Sequence, residues 1–196
     1  MNTYVVTIAR EFGSLGRTIG KRLSQELEIG YYDRELLEEA ADIMNTNVES
    51  LADYDEKLKN RLTKALYPMG LDSTLIQTKL FETQKMKILD IADRESCVIV
   101  GRCANHILRE HQNVLKVFVY APYEERMKNC TRELNLDPEE AKRMIRSVDK
   151  ARQLYHEYYT NEKYKEIESY DILINSSLLG VEGTVALIKD LVKNRF

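Results

Sequence analysis

The sequence is short of cysteine, of histidine, of long apolar runs and of surplus positive charge, and each shortage removes a class of function. Its three cysteines, Cys97, Cys103 and Cys130, form an odd set without the spacing of a metal site. Reduced thiols, and with them a cytoplasmic setting, are therefore expected. The three histidines, His106, His111 and His156, are too scattered to converge on one ion. The longest apolar runs are about five residues, far short of the roughly 20 a membrane helix requires, so no membrane partner is expected. The first residues lack both a charged leader region and a long apolar one, and no secretory leader is expected. Lys and Arg number 29 against 32 Asp and Glu, a formal net charge of −3. Bulk charge gives no support to a nucleic-acid partner, and any anion site has to be assembled from local arginines. No internal repeat or low-complexity linker is visible.

What is present is a chain of 196 residues, 43% hydrophobic and 31% charged, enough for one ordinary domain with a sizeable core. Tyr4-Val5-Val6-Thr7-Ile8 is a β-branched run and predicts a strand. A polar segment with two glycines follows, Arg10 to Thr18. Ile19, Leu23 and Leu27 then share one face of a predicted helix. Strand, glycine loop and helix together are the setting of a phosphate-binding loop, where backbone N–H groups and the positive end of a helix dipole meet an anion. Against the pattern G-x-x-x-x-G-K-[ST], Glu11 stands at the first glycine, Gly16 at the second, Arg17 at the lysine and Thr18 at the hydroxyl position. Arg17 would contact phosphate oxygens through its planar fork, and Thr18 would hold Mg²⁺. The competing reading is a plain strand–turn–helix, in which the glycines serve only the turn.

Downstream, Ile29 to Asp33 reads as a second strand with Asp33 at its C-terminal end. Residues 34–95 are almost all helical in pattern: one helix from Arg34 to Met44, a second capped by Asn47, a third marked by Leu58, Leu62 and Leu66, and a long one after Asp72-Ser73. Cys97 to Val100 is a continuous apolar run, as in a central parallel strand. Gly101-Arg102 and a short helix from Ala104 come next. Leu115 to Tyr120 is a strand and Tyr123 to Leu134 a helix. Asp137-Pro138 starts another helix, with Asp137 at N-cap and Pro138 at N1, predicted to end near Arg152. Asp171 to Asn175 is the last strand, and Val181 to Phe196 the closing helix. Strands alternating with helices predict an α/β fold, a parallel sheet covered on both faces.

The strand ends gather the chemistry. In an open parallel sheet the C-terminal edge carries ligands, and here that edge offers the glycine loop, Asp33 and Gly101-Arg102. A loop, a carboxylate and arginines suit phosphoryl transfer, which needs positioning and charge neutralisation rather than a strong nucleophile. The basic helix with Arg146, Lys150 and Arg152 suits a lid folding over a nucleotide, or else a solvated face laced with ion pairs. Tyr155, Tyr158 and Tyr159 are read as packing residues.

Three blocks, Ile8-Ala9-Arg10-Glu11-Phe12-Gly13-Ser14-Leu15-Gly16-Arg17, Tyr32-Asp33-Arg34-Glu35-Leu36-Leu37 and Val98-Ile99-Val100-Gly101-Arg102-Cys103-Ala104, with the tail Asp171 to Ser177, resemble the cytidylate kinase-like family. The resemblance spans almost the whole chain. It implies a single domain over 1–196 with the three-layer P-loop kinase fold, a five-stranded parallel sheet, a helical acceptor-binding insert over 34–95 and a helical lid over 123–165. It implies ATP and Mg²⁺ as cofactors and a nucleoside monophosphate or related small molecule as acceptor, in a monomer or homodimer. By that resemblance Arg10, Gly13, Ser14, Leu15, Gly16, Arg17 and Thr18 hold the ATP phosphates, and Thr18 and Asp33 the metal. Asp33, Arg34 and Arg102 bind the acceptor, and Arg17, Arg126, Asp149 and Arg152 act in catalysis. Three departures stand out. Arg17 replaces the usual lysine, Cys103 replaces the aspartate of the family's Gly-Arg-Asp motif, and Arg34 to Ala40 does not reproduce the serine and arginine with which cytidylate kinases grip the acceptor. A non-catalytic nucleotide-binding module that retains the kinase fold is the alternative. A helical scaffold indifferent to nucleotide is a third reading.

Overall fold

The computed structural model describes residues 3–33 and 71–196. The three helices expected between residues 34 and 70, and with them most of the helical insert, lie outside the described residues. Five strands form one parallel sheet: β1 (Val5–Arg10), β2 (Gly30–Tyr32), β3 (Cys97–Val100), β4 (Val114–Tyr120) and β5 (Ile172–Asn175), in the order β2-β3-β1-β4-β5. β1 sits at the centre, pairing Val5 with Cys97 of β3 on one side and with Val114 of β4 on the other. The parallel sheet expected from the alternation of strands and helices is present.

The period-two geometry of a strand sends alternate side chains to opposite faces, and both faces are covered. Val6, Ile8, Val98, Val100, Leu115, Val117 and Val119 pack against α1 (Gly16–Leu27), through Ile19 and Leu23, and against α6 (Ser176–Arg195), through Val185, Ile188 and Val192. Val5, Cys97, Ile99 and Val114 face the other way. They pack against Ile88, Ile91 and Ala92 of α2 (Leu71–Arg94) and against Ala104 and Leu108 in and just after α3 (Ala104–Ile107). Farther along that face, Phe118 meets Tyr164 and Tyr170 edge to face, with centroids 5.5 and 5.0 Å apart. This two-sided burial explains why the strands read as unbroken apolar runs rather than as alternating ones.

Two further helices lie between β4 and β5: α4 (Tyr123–Arg132) and α5 (Pro138–Thr160). Asp137 caps α5 as its sequence position predicts, its carboxylate accepting from the Glu140 N–H at 2.9 Å. The helix does not end near Arg152. It continues to Thr160, because His156 and Thr160 are buried in line with Ala141 and Ile145. The aromatic segment packs as well: Tyr159 stacks on Phe81 of α2 with centroids 4.0 Å apart, and Tyr155 meets the same ring edge-on. α6 also starts earlier than Val181. Asn175 caps it by accepting from the Ser177 N–H at 3.1 Å, and a kink at Gly180 divides it.

Candidate active site

The loop between β1 and α1 is held from outside and open within. The carbonyl of Gly13 accepts from Asn129 Nδ2 at 2.9 Å, and that of Ser14 from Ser176 Oγ at 2.8 Å. Ser14 is fully buried, its hydroxyl shared between the carbonyls of Glu11 (2.9 Å) and Val119 (3.1 Å). Gly13 has φ +77, and a Cβ there would lie 2.9 Å from the Arg126 carbonyl and from Cys130 Sγ, so the position admits only glycine. The first turn of any helix leaves N–H groups unpaired. Here the N–H groups of Gly13, Leu15, Gly16, Arg17 and Thr18 have no protein acceptor among the described residues. Such a run of donors at a helix N-terminus suits an anion.

Beside the loop, one carboxylate joins two guanidinium groups. Asp33 directly follows β2 and is buried. Its Oδ2 lies 2.7 Å from Arg17 Nε and its Oδ1 3.5 Å from Arg10 Nη2. Arg17 is 64% exposed, at the start of α1. The stem of Arg10 runs against Gly16, where a Cβ would lie 2.7 Å from Arg10 Cβ, and its guanidinium lies on Gly101, where a Cβ would overlap it. Burial, and next the repulsion of Arg152, lower the Arg10 pKa to about 10. Asp33 and Tyr164 act in the opposite sense, and Arg102 adds to the lowering. Gly101 (φ +85), Arg102 (φ +55) and Cys103 (φ +55) are three consecutive left-handed residues, a costly conformation for the two that carry side chains. Arg102 lies near the Tyr155 hydroxyl, which donates to Gln84 Oε1 of α2 at 3.3 Å.

α4 and α5 reach the loop through ion pairs. Arg126 pairs with Asp149, and its Nε lies 3.5 Å from Glu11 Oε2. The other Glu11 oxygen is paired with Lys165, and Oε2 also accepts from the Ala121 N–H at 3.3 Å. Asp149 Oδ1 accepts from the Phe12 N–H at 2.7 Å, and Arg152 Nη1 donates to the Arg10 carbonyl at 3.1 Å. The Tyr164 hydroxyl closes the clamp, accepting from the Arg10 N–H at 3.1 Å and donating to the Arg10 carbonyl at 2.9 Å.

The expected site residues thus fall into three neighbouring groups. Gly13 to Thr18 form the loop; Arg10, Asp33 and Arg102 gather on its β2–β3 side; Arg126, Asp149 and Arg152 meet its start. Arg34 lies outside the described residues. The head of Arg10 lies against Gly101 and 3.5 Å from Asp33. The Thr18 hydroxyl is exposed and suits a Mg²⁺ ligand. Both Asp33 oxygens face arginines, so Asp33 can serve a cation only if Arg17 swings away. Among the described residues no three His, Cys, Asp or Glu side chains are grouped to hold an ion by themselves. Sequence reasoning missed Glu11, Lys165, Tyr164 and Gln84. Only Glu11 carried a signal, a buried charge at a glycine position.

Residues 5–178 match the model of the cytidylate kinase-like family. No curated protein matches the sequence. Among solved structures, an uncharacterized protein from Eubacterium ventriosum is 26% identical with TM-score 0.76, over 98% of this chain and 100% of that one. Shikimate kinase from Bacteroides thetaiotaomicron is 13% identical with TM-score 0.55, over 97% and 98%. Shikimate kinase from Aquifex aeolicus is 19% identical with TM-score 0.52, over 97% and 96%. These likenesses identify the architecture as the P-loop kinase fold. No helix among the described residues is long and apolar enough to cross a membrane.

Proposed function

This chain belongs to the cytidylate kinase-like family, and from that premise we propose that it transfers a phosphoryl group from ATP to a nucleoside monophosphate or a related small acceptor. The observation that carries the reading is the open set of N–H donors from Gly13 to Thr18, with Arg17 beside it and the arginines of the β2–β3 side within reach of a second ligand. ATP phosphates lie on the loop, and the acceptor lies toward Asp33 and Arg102. Mg²⁺ on Thr18 and the phosphates supplies charge neutralisation when bound. Arg17 leaves Asp33 for the phosphates, which frees the carboxylate to orient the acceptor. Arg126 and Arg152 add positive charge near the start of the loop, and Asp149 positions them.

A second reading, a nucleotide-binding module without turnover, draws on the pairing of the same cations: Arg17 with Asp33, and Arg126 with Asp149 and Glu11. One experiment separates the two. ATP consumption with Mg²⁺ is measured over a panel of nucleoside monophosphates and small alcohols, together with the thermal shift given by ATP. Turnover with a shift supports the kinase. A shift without turnover on any acceptor favours the binding module, and no shift removes both.

A further inference from the structure

Among the described residues, the β2–β3 side of the loop sets Arg10, Arg17 and Arg102 against the single carboxylate of Asp33, and the Arg10 side chain is only 16% exposed. This guanidinium is buried against Gly101, its nearest carboxylate oxygen is at the long distance of 3.5 Å, and its Nε has no hydrogen-bond partner among the described residues. Asp33, the carboxylate that faces it, makes its short contact with Arg17 instead, at 2.7 Å. Two further guanidinium groups, those of Arg152 and Arg102, lie close enough to repel it and lower its pKa. The backbone of Arg10 is tied by Tyr164 and Arg152 through its N–H and carbonyl alone, so fixing the chain makes no use of the charged side chain. A buried cation that is neither fully paired nor needed for the local fold costs stability unless an anion completes it.

We propose that Arg10 belongs to the acceptor site, where its guanidinium joins those of Arg102 and Arg152 in binding one anionic group of the acceptor, a phosphate or a carboxylate. The inference rests on the kinase reading above and makes it more specific: the acceptor is an anion, and Arg10 selects for it rather than holding ATP. Gly101 is then glycine because a side chain would displace the Arg10 head. Arg102 follows Gly101 directly, and it and Cys103 both hold a left-handed backbone.

The test uses the full chain with saturating AMP-PNP, so that the loop is occupied, and titrates inorganic phosphate and then acetate while thermal stability is read. Phosphate is expected to raise the midpoint of the wild type. Arg10→Met should raise the phosphate concentration needed by about tenfold or more, in line with loss of a charged hydrogen bond, while the shift with AMP-PNP alone stays within about twofold of wild type. A response to phosphate alone marks a phosphate acceptor, and a response to acetate as well marks a carboxylate. Should Arg10→Met fail to fold, Arg10→Lys and Arg102→Met are read in the same way, and each should weaken the phosphate response. An unchanged phosphate response in the variants, or no response in the wild type, overturns the proposal. So does loss of the AMP-PNP shift in Arg10→Met, which returns Arg10 to the ATP site. A wild type that ignores AMP-PNP yet binds phosphate through Arg10 sinks the kinase reading and leaves the anion site standing.

Discussion

Arg17 and Gly101 show how one residue carries more than its local geometry. Arg17 stands where the phosphate-loop pattern has lysine and keeps its charge on a planar fork, so it serves a phosphate from a different angle than an ammonium would. It is 64% exposed, and its contact with Asp33 is at the surface end of the pair. Arg17→Ala should therefore leave the unfolding midpoint almost unmoved. The same change should weaken the ATP-induced thermal shift or turnover by about tenfold or more, as loss of a charge-assisted contact to phosphate does. Full activity in that variant would remove the role assigned to Arg17. Gly101 is the opposite case. It has φ +85 and the Arg10 guanidinium where a Cβ would go, so Gly101→Ala should cost about 1–3 kcal/mol in urea unfolding through backbone strain and displacement of Arg10. A cost near zero would mean that the backbone at 101–103 relaxes freely. Of the two, only Arg17 is singled out by the sequence as a candidate site residue in its own right. The reason for Gly101 is a side chain from another strand, 91 positions upstream by subtraction of residue numbers (101 − 10).

Among the elements, β3 was legible to the residue, because Cys97 to Val100 is short, wholly apolar and bounded by polar residues, and a central parallel strand looks like nothing else. The start of α5 was equally plain. Asp137 and Pro138 occupy the N-cap and first helical positions, and the cap bond forms at 2.9 Å. Asp137→Ala should cost about 1 kcal/mol, read as a lower urea midpoint at unchanged slope. A drop in helix content without loss of cooperativity would instead mean that α5 frays alone. The end of α5 was not legible. A run of tyrosines with one histidine resembles a break in an amphipathic pattern, and its burial depends on Phe81 of α2, a partner distant in sequence. The early start of α6 was hidden similarly, since Gly180 interrupts the helical pattern that Ser176 begins. Local rules located beginnings, where capping chemistry is local, and failed at ends set by tertiary packing.

At the scale of the whole molecule, the sheet edge brings the loop, Asp33 and Gly101-Arg102 together, and this much followed from expecting a parallel sheet whose C-terminal edge carries the ligands. The clamp on residues 10–12 did not follow, because Glu11, Asp149 and the pair Tyr164-Lys165 come from three distant parts of the chain and carry no shared motif. His156 links that clamp to the stability of the fold. It is buried on α5, its ring meets that of Tyr164 edge-on with centroids 5.4 Å apart, and its Nε2 has no hydrogen-bond partner among the described residues. Burial lowers its pKa below the ordinary 6.5; Glu162 opposes that shift, His106 adds to it, and Glu157 opposes it weakly. A base whose folded pKa is depressed stays neutral in the fold while the unfolded chain takes up a proton, so its contribution is complete above pH 6.5 and is lost as pH falls below that value. The urea midpoint should thus hold level from pH 8 to 7 and decline as pH falls from about 6.5, before most carboxylates titrate. His156→Gln, neutral throughout, should be less stable at pH 7.5 and show a shallower decline between pH 6.5 and 5.5. Equal slopes in the two proteins would assign the decline to other groups.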